Sequence, residues 1–353
     1  MKLSMISFTK KGILLSERIA KILDETDCAL YTKFQDSCKQ EQNVRWIAQS
    51  IAEWAKEQFE EGNALLFIGA CGIAVRAIAP CMKDKLQDSP VLVMDEKGKY
   101  VIPILSGHMG GANELALFLA EKLGVVPVLT TATDINNQFA VDLFAKKNGL
   151  MIMNKEGIAK VSSKILSGKS ITMSIEQGHF EKEDTLPKDI EMVEYPPRKE
   201  TDVVITSENK EFKTRLLLRP KEYIVGIGCK KGKEAKKIEN FIMNHLQRAG
   251  ISLMQVYAMT SIDLKKEEPG LIAWSTKEKI PFITYTAEEL RSVKGEFHKS
   301  DFVKKQVGVD NVCERAALKM CRQGGRLFYE KHAEDGMTIA IAKREWRVNF
   351  DEE

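Results

Sequence analysis

The run Ser106-Gly107-His108-Met109-Gly110-Gly111-Ala112-Asn113-Glu114 gathers a hydroxyl, an imidazole, an amide and a carboxylate around three glycines. Those glycines let the backbone take positive φ and approach a ligand closely. Leu105 ends an apolar run and Ala112 opens a helical one, so the segment is a strand-to-helix loop. Free N–H groups at a helix start favour an anion or a developing oxyanion. His108 exchanges a proton near neutral pH. Asn113 and Glu114 fall in the first helical turn, where they cap the backbone or orient a ligand. The plainer reading is a tight turn with a solvent-exposed histidine. Loops at strand ends carry ligands disproportionately, which favours the functional reading.

Three other runs place polar groups after a strand. Gly69-Ala70-Cys71-Gly72-Ile73-Ala74-Val75-Arg76 reads as strand, glycine turn and helix. Arg76 is placed to grip a carboxylate with its guanidinium fork, though an ordinary surface arginine explains it equally well. Cys71 has no His or Lys beside it and reads as a small turn residue. Thr130-Thr131-Ala132-Thr133-Asp134 looks like a helix N-cap, yet three threonines exceed what a cap needs. Ligand contact is therefore expected there. Gly226-Ile227-Gly228-Cys229-Lys230-Lys231-Gly232-Lys233 has the look of a dinucleotide fingerprint but carries one residue too many before its third glycine. Glu234 stands where a P-loop needs Ser or Thr, so nucleotide binding is rejected as the default. Lys230, Lys231 and Lys233 around a helix start make an anion cradle or, equally, a solvated basic turn. His179, His245, His298 and His332 lie in no metal-ligand spacing, and each reads as a surface or packing residue. No metal site is expected.

Positioning these runs calls for alternating strands and helices. A strand near Leu3–Phe8 and helices near Leu14–Leu23 and Val44–Phe59 open the chain. Strands follow at Ala64–Gly69, at Val91–Met94 and Tyr100–Leu105 about the turn Asp95-Glu96-Lys97-Gly98-Lys99, and at Val126–Thr131. Helices are expected at Ile73–Ile78, at Ala112–Leu123 with Gly124 as cap, and after Asp134. This is the pattern of an α/β domain with a largely parallel sheet. Gly157–Leu166, Ile171–Ile175 and Val203–Thr206 suggest a smaller unit, with Glu181–Glu200 as a surface loop holding a short strand. Alternation restarts at Tyr223–Gly228 and ends in a hairpin of Arg326–Lys331 and Met337–Lys343. The fold class is α/β with three domains: 1–138, a small middle unit 139–220, and 222–353. The terminal domains carry largely parallel sheets.

Composition narrows the class. Across 353 residues, 44% are hydrophobic and 29% charged, which is ordinary for a globular chain. A net charge of +3 gives no electrostatic reason for nucleic acid. No apolar run is long enough to span a membrane, and no signal peptide opens the chain. Seven cysteines, Cys28, Cys38, Cys71, Cys81, Cys229, Cys313 and Cys321, are an odd number without a CxxC pair. That argues against a disulfide framework or structural zinc and for a reducing cytoplasm.

Together the runs resemble a known family. Gly72–Pro80, Leu105–Ala116 and Thr130–Asp134 are similar to the N-terminal part of CbiG, the cobalt-precorrin-5A hydrolases of anaerobic cobalamin biosynthesis. Gly226–Gly232, Ile262–Lys265 with Glu268–Leu271, and Thr338–Ala342 resemble its C-terminal domain, which is related to CobE. Asp142–Pro220 matches by position and size. The resemblance implies a substrate, a cobalt-bearing contracted tetrapyrrole with carboxylate side chains and a δ-lactone. It also implies a reaction, lactone opening by water with release of acetaldehyde. Cobalt then belongs to the substrate, and no cofactor is expected. Joined to the residues, this makes His108 the candidate general base, with Glu114 and Asp134 as further proton-handling candidates. Gly110, Gly111 and Ala112 offer oxyanion N–H groups. Gly72, Arg76, Ser106, Gly107, Gly110, Gly111, Asn113, Thr130, Thr131, Lys230, Lys231 and Lys233 are the expected substrate contacts. A homodimer and transient contact with neighbouring pathway enzymes are compatible with the resemblance. Two rivals stay open: a non-catalytic carrier of tetrapyrrole intermediates, and a nucleotide-dependent enzyme using Gly226–Gly232.

Overall fold

The structure is a computed structural model and describes residues 2–23, 28–34, 43–84, 88–136, 138–180, 186–299, 308–321 and 324–350. Three sheets, mostly parallel and flanked by helices, give the α/β class that the alternation predicts. Contacts divide the chain into two compact units, Met1–Leu143 with one sheet and Phe144–Glu353 with two.

In the first unit β1 (Leu3–Ser7), β2 (Cys28–Thr32), β3 (Val44–Trp46), β4 (Ala64–Ile68), β5 (Val91–Met94), β6 (Tyr100–Leu105) and β7 (Val126–Pro127) lie in the order β3-β2-β1-β4-β5-β6-β7. Every position of β4 is buried, as a continuous apolar run in a parallel sheet covered on both faces requires. Strands β1 to β5 are mutually parallel. β6 returns against β5 in the expected hairpin, and β7 runs with β6. Asp95 holds the hairpin turn by accepting the N–H groups of Lys97, Lys99 and Tyr100 at 2.7 to 2.9 Å. The reversal sets Leu105 opposite Val91 and Val101 opposite Met94. The end of β6 therefore lies beside the beginning of β5.

The helices of this unit are α1 (Lys10–Ile22), α2 (Ile51–Glu60), α3 (Cys71–Ile78), α4 (Ala112–Leu123), α5 (Ala132–Ile135) and the start of α6 (Val141–Lys147). Three expectations need correction. The helix expected over Val44–Phe59 is an edge strand followed by a shorter helix. Ser50 and Glu53 form a reciprocal capping box that fixes the helix start after β3. The strand expected over Val126–Thr131 stops at Pro127, because only Tyr100 and Val101 lie across from it. Its remaining residues leave the sheet, and α5 begins at Ala132, ahead of Asp134.

The second unit opens with β8 (Leu150–Ile152), α7 (Glu156–Leu166), β9 (Ile171–Ile175), β10 (Ile190–Val193), β11 (Thr201–Ile205) and β12 (Thr214–Pro220). Their sheet order is β10-β9-β11-β12-β8, with β8 antiparallel to β12. The last sheet uses β13 (Tyr223–Cys229), β14 (Val256–Ile262), β15 (Phe282–Tyr285), β16 (Arg326–Glu334) and β17 (Met337–Lys343) in the order β15-β14-β13-β17-β16. α8 (Ala235–Arg248), α9 (Pro269–Glu278), α10 (Ala287–Arg291) and α11 (Cys313–Cys321) complete it, and β16 and β17 form the expected hairpin. A Cβ on Gly226 would overlap the Cys313 carbonyl, so this glycine lets α11 lie directly on β13. Its place in the fingerprint-like run is explained by packing. After β17 the chain reaches the loop that follows β9. Trp346 is buried and stacks on His179 with ring centroids 3.8 Å apart, and Val348 N–H donates to His179 O at 2.9 Å.

Candidate active site

Beyond β6, Ser106 turns the chain at φ 56, a left-handed backbone that strains a non-glycine residue. Its hydroxyl donates to Asp88 O at 2.9 Å and pins the turn to the segment that leads into β5. Gly111 at φ 87 is the N-cap of α4, a conformation glycine takes without strain. The loop then closes on itself. Gly111 N–H donates to His108 O at 3.0 Å, Ala112 N–H to Ser106 O at 3.1 Å and Asn113 N–H to Gly107 O at 3.0 Å. Two of the three amides expected to receive an oxyanion are thus spent inside the loop, and Gly110 N–H stays the candidate.

His108 meets an acid that nothing in the sequence pattern suggested. Its Nδ1 lies 3.4 Å from Oδ1 of Asp142, with the two side chains 14% and 11% exposed. On the other side of the ring, Nε2 lies 3.3 Å from Oγ1 of Thr133, which is buried. The tautomer with the proton on Nδ1, towards the carboxylate, would leave the lone pair on Nε2. A carboxylate behind the ring fixes its tautomer and stabilises the imidazolium formed when Nε2 takes a proton. Asn113 Nδ2 donates to Thr131 Oγ1 at 3.1 Å, which ties α4 to the loop that delivers Thr133. Thr133 stood inside a run already singled out as a cap. Asp142 opens α6, and no local spacing links it to His108.

The other candidates are placed as follows. Ser106, Gly107, Gly110, Gly111, Asn113 and Thr131 share the neighbourhood of His108. Glu114 is exposed on the first turn of α4, and Thr130 is exposed before α5. The backbone of Asp134 lies in α5, while its side chain lies outside the described residues. Gly72 and Arg76 are not brought to His108 by the sheet. They follow the carboxyl end of β4, whereas the β6 reversal puts Ser106 beside the amino ends of β4 and β5. β4 is 5 residues long, so the two ends are roughly 16 Å apart at about 3.3 Å per residue. Arg76 folds back and donates from Nη1 to Gly72 O at 3.1 Å.

In the second unit the expected anion cradle already holds a carboxylate of the protein. Gly232 N–H donates to Glu268 Oε1 at 2.7 Å, and Lys265 pairs with the same side chain at 2.8 Å. Burial pushes the Glu268 carboxyl up, but the Lys265 and Gly232 hydrogen bonds outweigh it and hold it below the usual range. Lys233 donates to Asp335 O at 2.6 Å and to its Oδ2 at 2.7 Å. Lys230 and Lys231 remain exposed. Cys28, Cys71, Cys81, Cys229, Cys313 and Cys321 are free thiols, and Cys38 lies outside the described residues. Among the described residues no group of three or more His, Cys, Asp and Glu could hold a metal ion, and no helix is long and apolar enough to cross a membrane.

Family models for the N-terminal part, central region and C-terminus of cobalamin synthesis protein G match residues 53–134, 139–220 and 223–342 in order. The chain belongs to the CbiG family. A cobalt-precorrin-5A hydrolase of Priestia megaterium is 32% identical, with 96% of this chain and 94% of that protein covered. One of Salmonella typhimurium is 33% identical, with 96% and 97% covered. The solved structure of CobE, from the cobalamin biosynthetic pathway, is 29% identical over 36% of this chain and 92% of its own, with a TM-score of 0.34.

Proposed function

We propose that this chain is a cobalt-precorrin-5A hydrolase, which opens the δ-lactone of a cobalt-bearing tetrapyrrole and releases acetaldehyde to give cobalt-precorrin-5B. The reading is carried by the match, over nearly the whole of both chains, to two relatives named for that activity. The chain's own residues supply a route. Nε2 of His108, with Asp142 behind it, takes a proton from water as the water oxygen attacks the lactone carbonyl. The tetrahedral oxyanion is met by Gly110 N–H. Collapse breaks the ring C–O bond, and His108 returns its proton to the departing alkoxide. The freed hydroxyl then loses its proton to the neutral imidazole. The adjacent carbon–carbon bond breaks, its electron pair enters the conjugated macrocycle, and acetaldehyde leaves. Ser106, Gly107, Asn113 and Thr131 shape the pocket around this base.

Cobalt is part of the substrate in this reading, and the protein contributes no cofactor. The three domains 1–138, 139–220 and 222–353 underlie the three family segments. Free thiols fit a cytoplasmic location. The partner is the tetrapyrrole itself, without nucleic acid or membrane; a homodimer and transient contact with neighbouring pathway enzymes are compatible with it. The test is acetaldehyde trapped from cobalt-precorrin-5A by the purified chain. Binding without acetaldehyde would instead mark a carrier of intermediates. His108→Ala should lower kcat at least 100-fold, the scale of a lost general base. A loss of only a few-fold would remove His108 from the chemistry.

A further inference from the structure

Thr133 is the hydroxyl of the run Thr130–Asp134 that lies against the base. α5 begins at Ala132, and a helix is capped from the residue before it, so Thr133 is not spent on the cap. Its hydroxyl has His108 Nε2 as hydrogen-bond partner at 3.3 Å, and the residue is 7% exposed. The backbone is fixed on both sides. Asn113 Nδ2 donates to Thr131 Oγ1 at 3.1 Å, and Gln138 N–H donates to Thr133 O at 2.9 Å. The branched Cβ of threonine restricts χ1, which keeps the hydroxyl in place. Across the ring, Asp142 Oδ1 lies 3.4 Å from Nδ1. All three groups belong to the first unit.

A carboxylate, an imidazole and a hydroxyl in that order are the parts that activate an oxygen nucleophile. With the proton on Nδ1, towards Asp142, Thr133 Oγ1 is the donor to Nε2. The 3.3 Å contact is a little long, as such pairs are before substrate tightens them. Position favours this hydroxyl over water as the first group to be deprotonated. Nε2 already faces Thr133, so a water molecule must displace the hydroxyl to reach the nitrogen. The plainer reading is that the hydroxyl only satisfies a ring nitrogen in a buried place. The two readings differ in whether a bond to Thr133 ever forms.

Resting on the hydrolase reading above, we infer that Thr133 is the nucleophile that opens the lactone, and that the water of that route attacks an ester of Thr133 in place of the lactone itself. Thr133 Oγ1 bonds to the lactone carbonyl carbon as its proton moves to His108 Nε2, and the carbonyl electron pair moves onto oxygen. Collapse re-forms the carbonyl and breaks the ring C–O bond, whose oxygen takes the proton from His108. The freed hydroxyl gives acetaldehyde as before, and the proton left on His108 passes to solvent. Water then gives a proton to Nε2 and attacks the ester carbonyl. The departing Thr133 oxygen takes that proton back. One water is consumed, as in direct hydrolysis, and nothing is oxidised or reduced.

The experiment is rapid acid quench of the full chain mixed with equimolar cobalt-precorrin-5A, followed by peptide mass spectrometry. An acyl adduct on Thr133 is expected within the first turnover. Thr133→Ser should keep the adduct and stay within about tenfold of the parent, whereas Thr133→Val, of the same shape without the hydroxyl, should lose the adduct and lower kcat by about 1,000-fold or more. A parent that releases acetaldehyde with no adduct, or with one on another residue, overturns the inference and leaves the hydrolase reading standing. Thr133→Val within about tenfold of the parent does the same. An adduct on Thr133 without acetaldehyde removes only the hydrolase reading, and the absence of both removes both.

Discussion

In the proposed reaction His108 acts as a base only with the proton on Nδ1, and Asp142, 3.4 Å from that nitrogen, is the group placed to keep it there. Asp142→Asn keeps the shape but removes the charge that stabilises the imidazolium. It should lower kcat for acetaldehyde release by about 100-fold and leave KM nearly unchanged. Steady-state kinetics check this, and an unchanged kcat would free His108 of its carboxylate. Asp202 is a structural counterpart. It is buried and accepts from Lys164 at 2.6 Å, from Thr172 N–H at 2.8 Å and from Arg215 at 3.1 Å. Burial pushes its carboxyl up, but the Lys164 and Thr172 hydrogen bonds outweigh that and hold it below the usual value. As pH falls, the unfolded chain therefore takes up this proton first. The stabilisation is complete above the unfolded pKa and is lost as pH drops through the folded one. Asp202→Asn should cost about 2 kcal/mol at pH 7. The gap to the parent should narrow below about pH 4. Urea unfolding from pH 7 down to pH 3 reads it, and a gap constant with pH would refute the linkage.

At the scale of elements, one reversed strand decides which loops meet. β6 runs against β5, so its carboxyl end joins the amino ends of the parallel strands, and β7 delivers Thr131 and Thr133 to the same end. The loop after β4 leaves from the opposite end with Gly72 and Arg76. The contact of α11 with β13 rests on Gly226 in the same direct way. Gly226→Ala inserts a methyl group where the Cys313 carbonyl already lies. It should destabilise the fold by about 3 kcal/mol, the upper range for overpacking. Thermal unfolding checks it, and a Tm unchanged within a degree would mean that α11 can move away freely.

At the scale of the molecule, the second unit is strapped by the segment that follows β17. Trp346 lies on His179 and Asn349 N–H donates to Asn148 Oδ1 at 2.7 Å, so the segment beyond β17 is held against the residues that follow β9 and precede β8. Trp346→Ala removes a buried ring and should cost about 3 to 4 kcal/mol. Amide hydrogen exchange should then quicken most in β9 and β11. Protection unchanged in those strands would show that the strap carries little of their stability.

The alternation of apolar runs with glycine turns was enough to predict α/β sheets, the β5–β6 hairpin, α4 with its Gly124 cap and the closing hairpin, because those signals are local. β2 and the true start of α2 were hidden. A short strand such as Cys28–Thr32 is defined by its partner β1, and the Ser50–Glu53 box overrides a longer helical pattern. The family motifs were likewise legible as short runs in order. His108 stood out through its own glycines, but Asp142 lies 34 positions onward in another element and has no local signature. A histidine in a loop can be read from its neighbours in sequence; the carboxylate that orients it comes from a distant element and is chosen only when the chain folds.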